Sequence, residues 1–371
     1  MAESDEKRRV LVTRAGTGSS NNLIRGLRAG VADLTVIGCH SDRFHLRRSQ
    51  ADRNYLIPTL DHPDLENALR FVAAKERVDL VIPTTDDDVR MVSGLRASLP
   101  CRVFLPAPAT VALCQDKYAL AARLEALGVP VPRTFAISQL AEIEAIFAQL
   151  APPSRVWCRI RTGTGSLGAT AVRSVEQARS WIKYWADMRG IAVTDFTLSE
   201  YLPGRDFACQ SVWKGGRVVL LKTTERVSYF GGAGGPSGVS SIGGIHKTVR
   251  EPEVVDVCLA AVRAVDPGAT GAFSIDLKAD RRGRPCVTEI NVGRFLTGSP
   301  IFDLTGKHNM TATYVRLALD EPVQIDEPYD VAEGYYMIRD LDTLPEILHA
   351  DELGEGIEDA RRVTTSRDER G

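Results

Sequence analysis

No apolar run in this chain approaches the roughly 18 residues that a membrane helix needs, so no membrane partner is expected. No two cysteines stand in CxxC spacing. The seven are scattered at 39, 101, 114, 158, 209, 258 and 286, mostly among apolar neighbours such as Val257 and Leu259. Buried reduced thiols are expected, not disulfides. The six histidines lack ligand spacing, which argues against zinc. Charge of one sign is also missing: the net charge is −2, so neither nucleic acid nor an anionic membrane surface is an expected partner. The opening MAESDEKRRV is polar and lacks the apolar middle of a signal peptide, which makes a cytoplasmic location the expectation. No internal repeat and no Ser-His-Asp arrangement is visible.

What is there is an ordinary globular composition, 44% hydrophobic and 25% charged over 371 residues, enough for two or three domains. The first hundred residues alternate strand and helix. Strands are read at Arg9–Thr13, Leu34–Gly38, Asp79–Pro83 and Arg102–Leu105, and helices at Asn21–Ala29, Leu65–Glu76 and Val89–Leu99. That alternation implies a doubly wound parallel sheet, whose ligands collect beyond the carboxyl ends of the strands. The turns Gly16–Ser20 and Thr84–Asp88 fall on that edge. The first is not a full dinucleotide fingerprint, because the residue three after Gly18 is Asn21. It reads as a turn whose N–H groups meet a small anion. Pro106-Ala107-Pro108 marks a boundary. Asp116–Leu127 reads as a helix with Leu120, Leu124 and Leu127 on one face, and Val175–Met188 as an amphipathic helix. The expected domains are 1–110, 111–195 and 196–350, with a charged, disordered tail over 351–371. The expected class is mixed α/β and α+β.

The most informative stretch is GAFSIDLKADRRGRPCVTEINVGR, Gly271 to Arg294. Two alternating runs flank Arg282-Gly283, the pattern of a β-hairpin. A two-residue loop there would set Asp276 opposite Glu289 and Ser274 opposite Asn291. Glu289 and Asn291 share a strand face. Like charges so placed repel. A divalent cation removes the objection, and two carboxylates with an amide suit magnesium held together with phosphates. An exposed hairpin with scattered charges is the plainer alternative.

Other constellations point the same way. Lys117 sits in the first turn of a helix, where the macrodipole disfavours a cation unless an anion shares the site. Arg159–Gly168, RIRTGTGSLG, is rich in backbone donors and can close over phosphates, though no Gly-Lys-Ser/Thr ends it. Glu200-Tyr201-Leu202-Pro203-Gly204-Arg205-Asp206 follows a strand and can offer backbone to an adenine edge and a carboxylate to ribose hydroxyls. Thr223–Gly244 reads as a glycine-rich lid. Arg226 and Arg294 are candidates for a phosphate clamp; each reads equally well as a surface arginine.

In this order and spacing, the pieces resemble the ATP-grasp superfamily. The likeness covers roughly residues 8–320 and is nearest to members similar to the large subunit of carbamoyl-phosphate synthetase, including carboxylate–amine ligases. It implies an ATP-grasp fold behind an N-terminal pre-ATP-grasp domain that helps form the acceptor pocket. It also implies roles: Lys117 and Arg159 on phosphates, Gly163, Gly165, Ser166 and Gly168 as the mobile loop, and Glu200, Tyr201 and Leu202 as the adenine hinge. Asp206 would contact ribose; Asp276, Glu289 and Asn291 would be the magnesium ligands. Arg294 would steady the transferring phosphoryl group; Arg226 is a further catalytic candidate from the clamp reading above. There are departures. Arg159 stands where a lysine is usual, Asp276 where glutamine or glutamate is more familiar, and Glu289-Ile290-Asn291-Val292-Gly293-Arg294 is one residue longer than Glu-Ile-Asn-Pro-Arg.

The expected activity is an ATP- and Mg2+-dependent ligase (Mn2+ substituting) that joins a carboxylate to an amine through an acyl phosphate. Ser20, Thr85 and Asp86 are the candidate substrate residues. A non-catalytic nucleotide-binding module and a kinase stopping at a phosphorylated product are the alternatives. The partners expected are small-molecule substrates, with a homodimer as the family-level expectation. The sequence does not name the carboxylate, the amine or the pathway.

Overall fold

Strands covered on both faces must be apolar throughout, and the centre of the N-terminal sheet obeys this: Val10, Leu11 and Val12 of β1 (Arg8–Thr13) are buried with all of β4 (Leu80–Ile82). In this computed structural model, which describes residues 7–150, 155–231, 237–296, 298, 302–303, 305–340 and 346–354, five parallel strands run in the order β3-β2-β1-β4-β5. The others are β2 (Leu34–His40), β3 (Arg53–Leu56) and β5 (Arg102–Val103). Helices α1 (Gly18–Gly30), α2 (Arg43–Leu46), α3 (Leu65–Lys75) and α4 (Asp86–Gly94) link them. The doubly wound reading holds. The edge strand β3 and the short α2 had no signal in the sequence, because Arg53–Leu56 is a largely exposed edge without apolar alternation.

The expected Gly16–Ser20 turn is shorter than read. Helix α1 already begins at Gly18, capped by Thr17, with Ser20 closing a capping box. Gly16 holds the turn itself: its φ is +91°, and a Cβ there would sit 1.7 Å from the His45 carbonyl oxygen. Two helices follow where one was expected, α5 (Pro108–Gln115) and α6 (Lys117–Ala126), hinged at Asp116. The Asp116 carboxylate accepts from the Tyr118 and Ala119 amides at 3.0 and 3.1 Å. Leu120 and Leu124 are buried as read, but Leu127 lies past the last turn and is exposed.

A four-stranded antiparallel sheet comes next: β6 (Thr134–Ala136), β7 (Val156–Ile160), β8 (Thr170–Val172) and β9 (Phe196–Glu200), in the order β6-β9-β7-β8. Helices α7 (Ile143–Leu150) and α8 (Val175–Arg189) pack on it around a core of its own, with Ile146, Cys158, Ile182 and Phe196 at its centre. Strand β9 belongs to this sheet, so the sheet runs past residue 195, where the sequence reading put a boundary.

The largest sheet is antiparallel, ordered β14-β13-β10-β11-β12-β15-β16. Its strands are β10 (Asp206–Lys214), β11 (Arg217–Tyr229), β12 (Gly243–Thr248), β13 (Gly271–Ala279), β14 (Pro285–Val292), β15 (Tyr335–Ile338) and β16 (Glu346–His349). Helices α9 (Pro252–Val265) and α10 (Met310–Ala318) flank it. Its core is continuous with that of the N-terminal sheet. One shared cluster holds Leu11 and Ile37 together with Phe273 and Ile275; another holds Ile24 and Leu80 with Tyr314 and Val212. The expected lid over Thr223–Gly244 is strand at both ends: residues up to Tyr229 belong to β11, and β12 begins at Gly243. The expected tail lies, from residue 355 onward, outside the described residues. Among the described residues no helix is long and apolar enough to cross a membrane.

Candidate functional site

The hairpin of β13 and β14 pairs Asp276 with Glu289 and Ser274 with Asn291, as expected. The route there differs from the sequence reading. Toward the turn, Leu277 pairs with Val287 and Ala279 with Pro285, so the loop centres on Arg282 and is longer than Arg282-Gly283 alone. A β-bulge at Thr288 takes up the extra residue, and its Oγ1 donates to the Asp276 carbonyl at 3.0 Å. The bulge resets the register before the functional pair. Two misreadings of one residue each therefore cancel.

Both carboxylates and Asn291 line a cleft of about 820 Å³ walled by all three sheets. The repulsion between the facing carboxylates is offset by a separate cation on each. Arg226 of β11 ion-pairs with Asp276 and, at 3.0 Å, with Asp206. Lys117 Nζ lies 3.3 Å from Glu289 Oε1 and donates to the Gly163 carbonyl at 2.7 Å. Asn291 Nδ2 donates to Asp276 Oδ2 at 3.1 Å, while its Oδ1 accepts from Arg294, whose guanidinium also pairs with Asp86. Burial pushes the Asp276 pKa up, against the pull of Arg226 and with the push of Glu289. Burial alone would lower the Arg226 pKa, but Asp276 and Asp206 outweigh it and hold the guanidinium charged. Arg226 is thus a counter-ion of two carboxylates here, with its fork already engaged.

Arg159, on β7, is 8% exposed. Its Nη2 donates to the carbonyl of the bulged Thr288 at 3.0 Å, but its Nε is buried with no partner among the described residues. A buried donor left unmet costs about 1–3 kcal/mol. Burial lowers the Arg159 pKa, while Glu289 and Asp276 raise it. The neighbouring Arg161 turns away and binds the Asp116 carboxylate at 2.6 Å. The glycine loop follows along the cleft wall. Gly168 has φ +64°, and a Cβ there would meet Ile160 Cδ1 at 2.5 Å, so only glycine fits. Its carbonyl accepts from Trp181 Nε1 at 2.9 Å, which ties the loop's end to α8. Gly163, Gly165 and Ser166 also line the cleft, and Ser166 adopts φ +58° without being glycine.

Glu200, Tyr201 and Leu202 line the cleft at the end of β9. Asp206, at the start of β10, is more committed than the sequence suggested. It pairs with Arg226 and with Lys278 at 3.3 Å, and accepts from Tyr229 Oη at 2.6 Å. A ribose hydroxyl would have to share it. Thr85 caps α4, and it and Asp86 line the cleft. Ser20 is not brought there: it is fully buried and its hydroxyl donates to the Thr17 carbonyl at 3.0 Å, so Ser19 is the residue of that turn that faces the cleft. His246 and Arg339 also line the cleft and were missed. They come from β12 and the residue after β15, strands made neighbours only by the sheet order. Gly243–Thr248 carries no apolar–polar alternation that would mark them.

Among the described residues no group of three or more His, Cys, Asp and Glu side chains is arranged to hold a metal alone. Two carboxylates and an amide, on one face and open to the cleft, do fit a magnesium ion that completes its shell with water and phosphate oxygens.

Comparison with known proteins bears on the family and the fold. Residues 114–298 match the family described as the ATP-grasp domain. Among solved structures, the carboxyaminoimidazole ribonucleotide synthase of Aspergillus clavatus, complexed with ATP, is 16% identical with a TM-score of 0.65, over 90% of this chain and 81% of that one. An L-amino acid ligase from Bacillus licheniformis is 15% identical with a TM-score of 0.66, over 90% and 79%. The biotin carboxylase domain dimer of the Hydrogenobacter thermophilus 2-oxoglutarate carboxylase, with MgADP and bicarbonate, is 16% identical with a TM-score of 0.68, over 89% and 73%. At such identities the likeness is one of fold. Curated proteins gave no match.

Proposed function

This chain carries an ATP-grasp domain, and from that premise we propose that it is an ATP-dependent ligase joining a carboxylate to an amine. The observation that carries the reading is the facing pair Asp276 and Glu289, with Asn291 on the same face and the unmet Nε of Arg159 beside them. Asp276, Glu289 and Asn291 would hold magnesium, which when bound neutralises phosphate charge. The chain's own groups do the rest. Lys117 and Arg159 bind phosphate oxygens, and Glu200, Tyr201 and Leu202 present backbone to the adenine. Arg294, fixed between Asp86 and Asn291, is oriented toward the oxygens of the transferring group. Positioning and charge neutralisation supply most of the catalysis in phosphoryl transfer.

In the proposed sequence a substrate carboxylate oxygen bonds to the terminal phosphorus of ATP and the bond to ADP breaks. The amine nitrogen then bonds to the acyl carbon, the carbon–oxygen bond breaks, and phosphate leaves as the nitrogen gives up a proton. Closure of the Gly163–Gly168 loop excludes water from the acyl phosphate. The ligases among the structural neighbours support the reaction class. The test is phosphate release from ATP and magnesium with pools of carboxylic acids and amines, and hydroxamate formation when hydroxylamine replaces the amine. Acid-dependent hydroxamate supports the ligase. A stable phosphorylated product without it identifies a kinase, and no stimulation by any pool contradicts turnover altogether.

A further inference from the structure

The cleft extends beyond the residues assigned so far. Of the cations lining it, Lys117, Arg226, Lys278 and Arg294 are each ion-paired. Arg159 and Arg339 make no ion pair among the described residues. Arg159 lies beside the magnesium carboxylates. Arg339 stands just past β15, with His246 of β12.

The sheet register builds this second corner. Arg226 pairs with His246 across β11 and β12, and His246 pairs with Met337 across β12 and β15. Arg339, two residues beyond Met337, falls on the same face. Its Nε donates to the Gly243 carbonyl at 2.7 Å and its backbone N–H to Gly244 at 3.1 Å, which fixes the guanidinium. Its Nη groups have no partner among the described residues. The imidazole of His246 is 8% exposed, lines the cleft, and makes no hydrogen bond among the described residues. Gly298 leaves the room: a Cβ there would meet Met337 Sδ at 3.1 Å. Burial, then Arg226 and Arg339, pushes the His246 pKa down to about 3, so the ring is neutral at physiological pH. The corner therefore offers one neutral imidazole and one fixed guanidinium without an ion pair among the described residues, a set suited to a carboxylate.

A carboxylate seated there would be distinct from one reacting beside Asp276 and Glu289. Strand β12 lies three steps from β13 in the sheet, about 14 Å at about 4.8 Å per step. We propose that the His246–Arg339 corner seats a second, unreactive carboxylate of the substrates. The ligand chemistry is then an acid with two carboxylates, or an amine that is an amino acid with its own carboxylate free. The inference rests on the ligase reading for its meaning, but the site can be tested by binding alone.

Three arms decide it, each with wild type, Arg339→Gln and Arg339→Lys. In the first, dicarboxylates from malonate to adipate and a set of L-amino acids are titrated calorimetrically into protein loaded with magnesium and a non-hydrolysable ATP analogue. At least one should bind wild type, and its affinity should fall at least about tenfold in Arg339→Gln, with partial recovery in Arg339→Lys and unchanged affinity for MgADP. In the second, hydroxamate formation is compared between the dicarboxylates and their monoamides; preference for the dicarboxylate, lost in Arg339→Gln through KM, places the group on the acid. In the third, phosphate release from monocarboxylates is compared between amino acids and their C-terminal amides; preference for the free acid places it on the amine. Equal binding by wild type and Arg339→Gln, or no binding of any probe to wild type, overturns the corner. Probe binding that depends on Arg339 without hydroxamate or phosphate release leaves the corner standing and removes the ligase reading.

Discussion

At the residue scale, the site joins groups whose charges are costly apart. Asp276 and Glu289 face each other, and Arg226 and Lys117 each neutralise one of them. Glu289→Gln should lower magnesium-dependent turnover by at least about 10²-fold while the melting temperature stays near wild type, because Glu289 is partly open to the cleft. Unchanged turnover would remove it from the site. Arg159 gives a sharper contrast. Its buried, unmet Nε makes it a liability without nucleotide, and replacing a poorly compensated buried charge by an apolar chain is often neutral or stabilising. Arg159→Met should therefore melt no lower than wild type without ATP, yet bind MgADP at least about tenfold more weakly; a lower melting point with unaltered affinity would make Arg159 purely structural. For His246 the folded-state pKa, about 3, lies below its unfolded value. The unfolded chain then binds a proton first as pH falls, so stability is full above about pH 6.5 and is lost below it, by up to about 1.4 kcal/mol per pH unit. Between pH 7.5 and 5.5 wild type should lose about 1 kcal/mol more than His246→Gln in urea titrations; equal losses would show that the ring is not held neutral. Among these residues, Asp276, Glu289, Asn291 and Lys117 were legible because local spacing carries them. His246 and Arg339 were not, because non-local strand pairing brings them in.

At the element scale, the hairpin shows how far a sequence pattern reaches. Alternation in β13 and β14 fixed which residues face the cleft, yet the turn was longer than read and a bulge absorbed the difference. Bulges leave no local sequence mark here beyond Thr288 itself. The same limit hid β3, an exposed edge. It also extended the supposed lid into β11, where glycines later in the segment outweighed the strand-like start. The loop placed to act as the proposed cover is Arg161–Gly168. It crosses the cleft wall and is pinned at one end by Trp181 and at the other by Lys117. Closing over a triphosphate should shield its backbone. Trypsin cleavage after Arg161 is expected to slow several-fold when MgATP analogue is present; equal rates with and without nucleotide would show that the loop does not close.

At the scale of the whole molecule, the N-terminal sheet and the large sheet share two cores, whereas the four-stranded sheet has its own. That division suits a rigid base with a separately packed cover, the arrangement from which hinge closure is built. The doubly wound N-terminal sheet was legible because buried parallel strands read as apolar runs. The packing of α5 and α6 into the base core was not, since amphipathic helices do not declare which sheet they cover. All of this converges on one place, the paired carboxylates Asp276 and Glu289 in the cleft. The most direct measurement is a crystal structure with Mn2+ and a non-hydrolysable ATP analogue, recorded at the manganese absorption edge. The expected result is an anomalous peak about 2.1–2.3 Å from carboxylate oxygens of Asp276 and Glu289, touching the phosphates, with Arg226 swung off Asp276. A nucleotide bound elsewhere, or a peak with no oxygen from that pair, would contradict it.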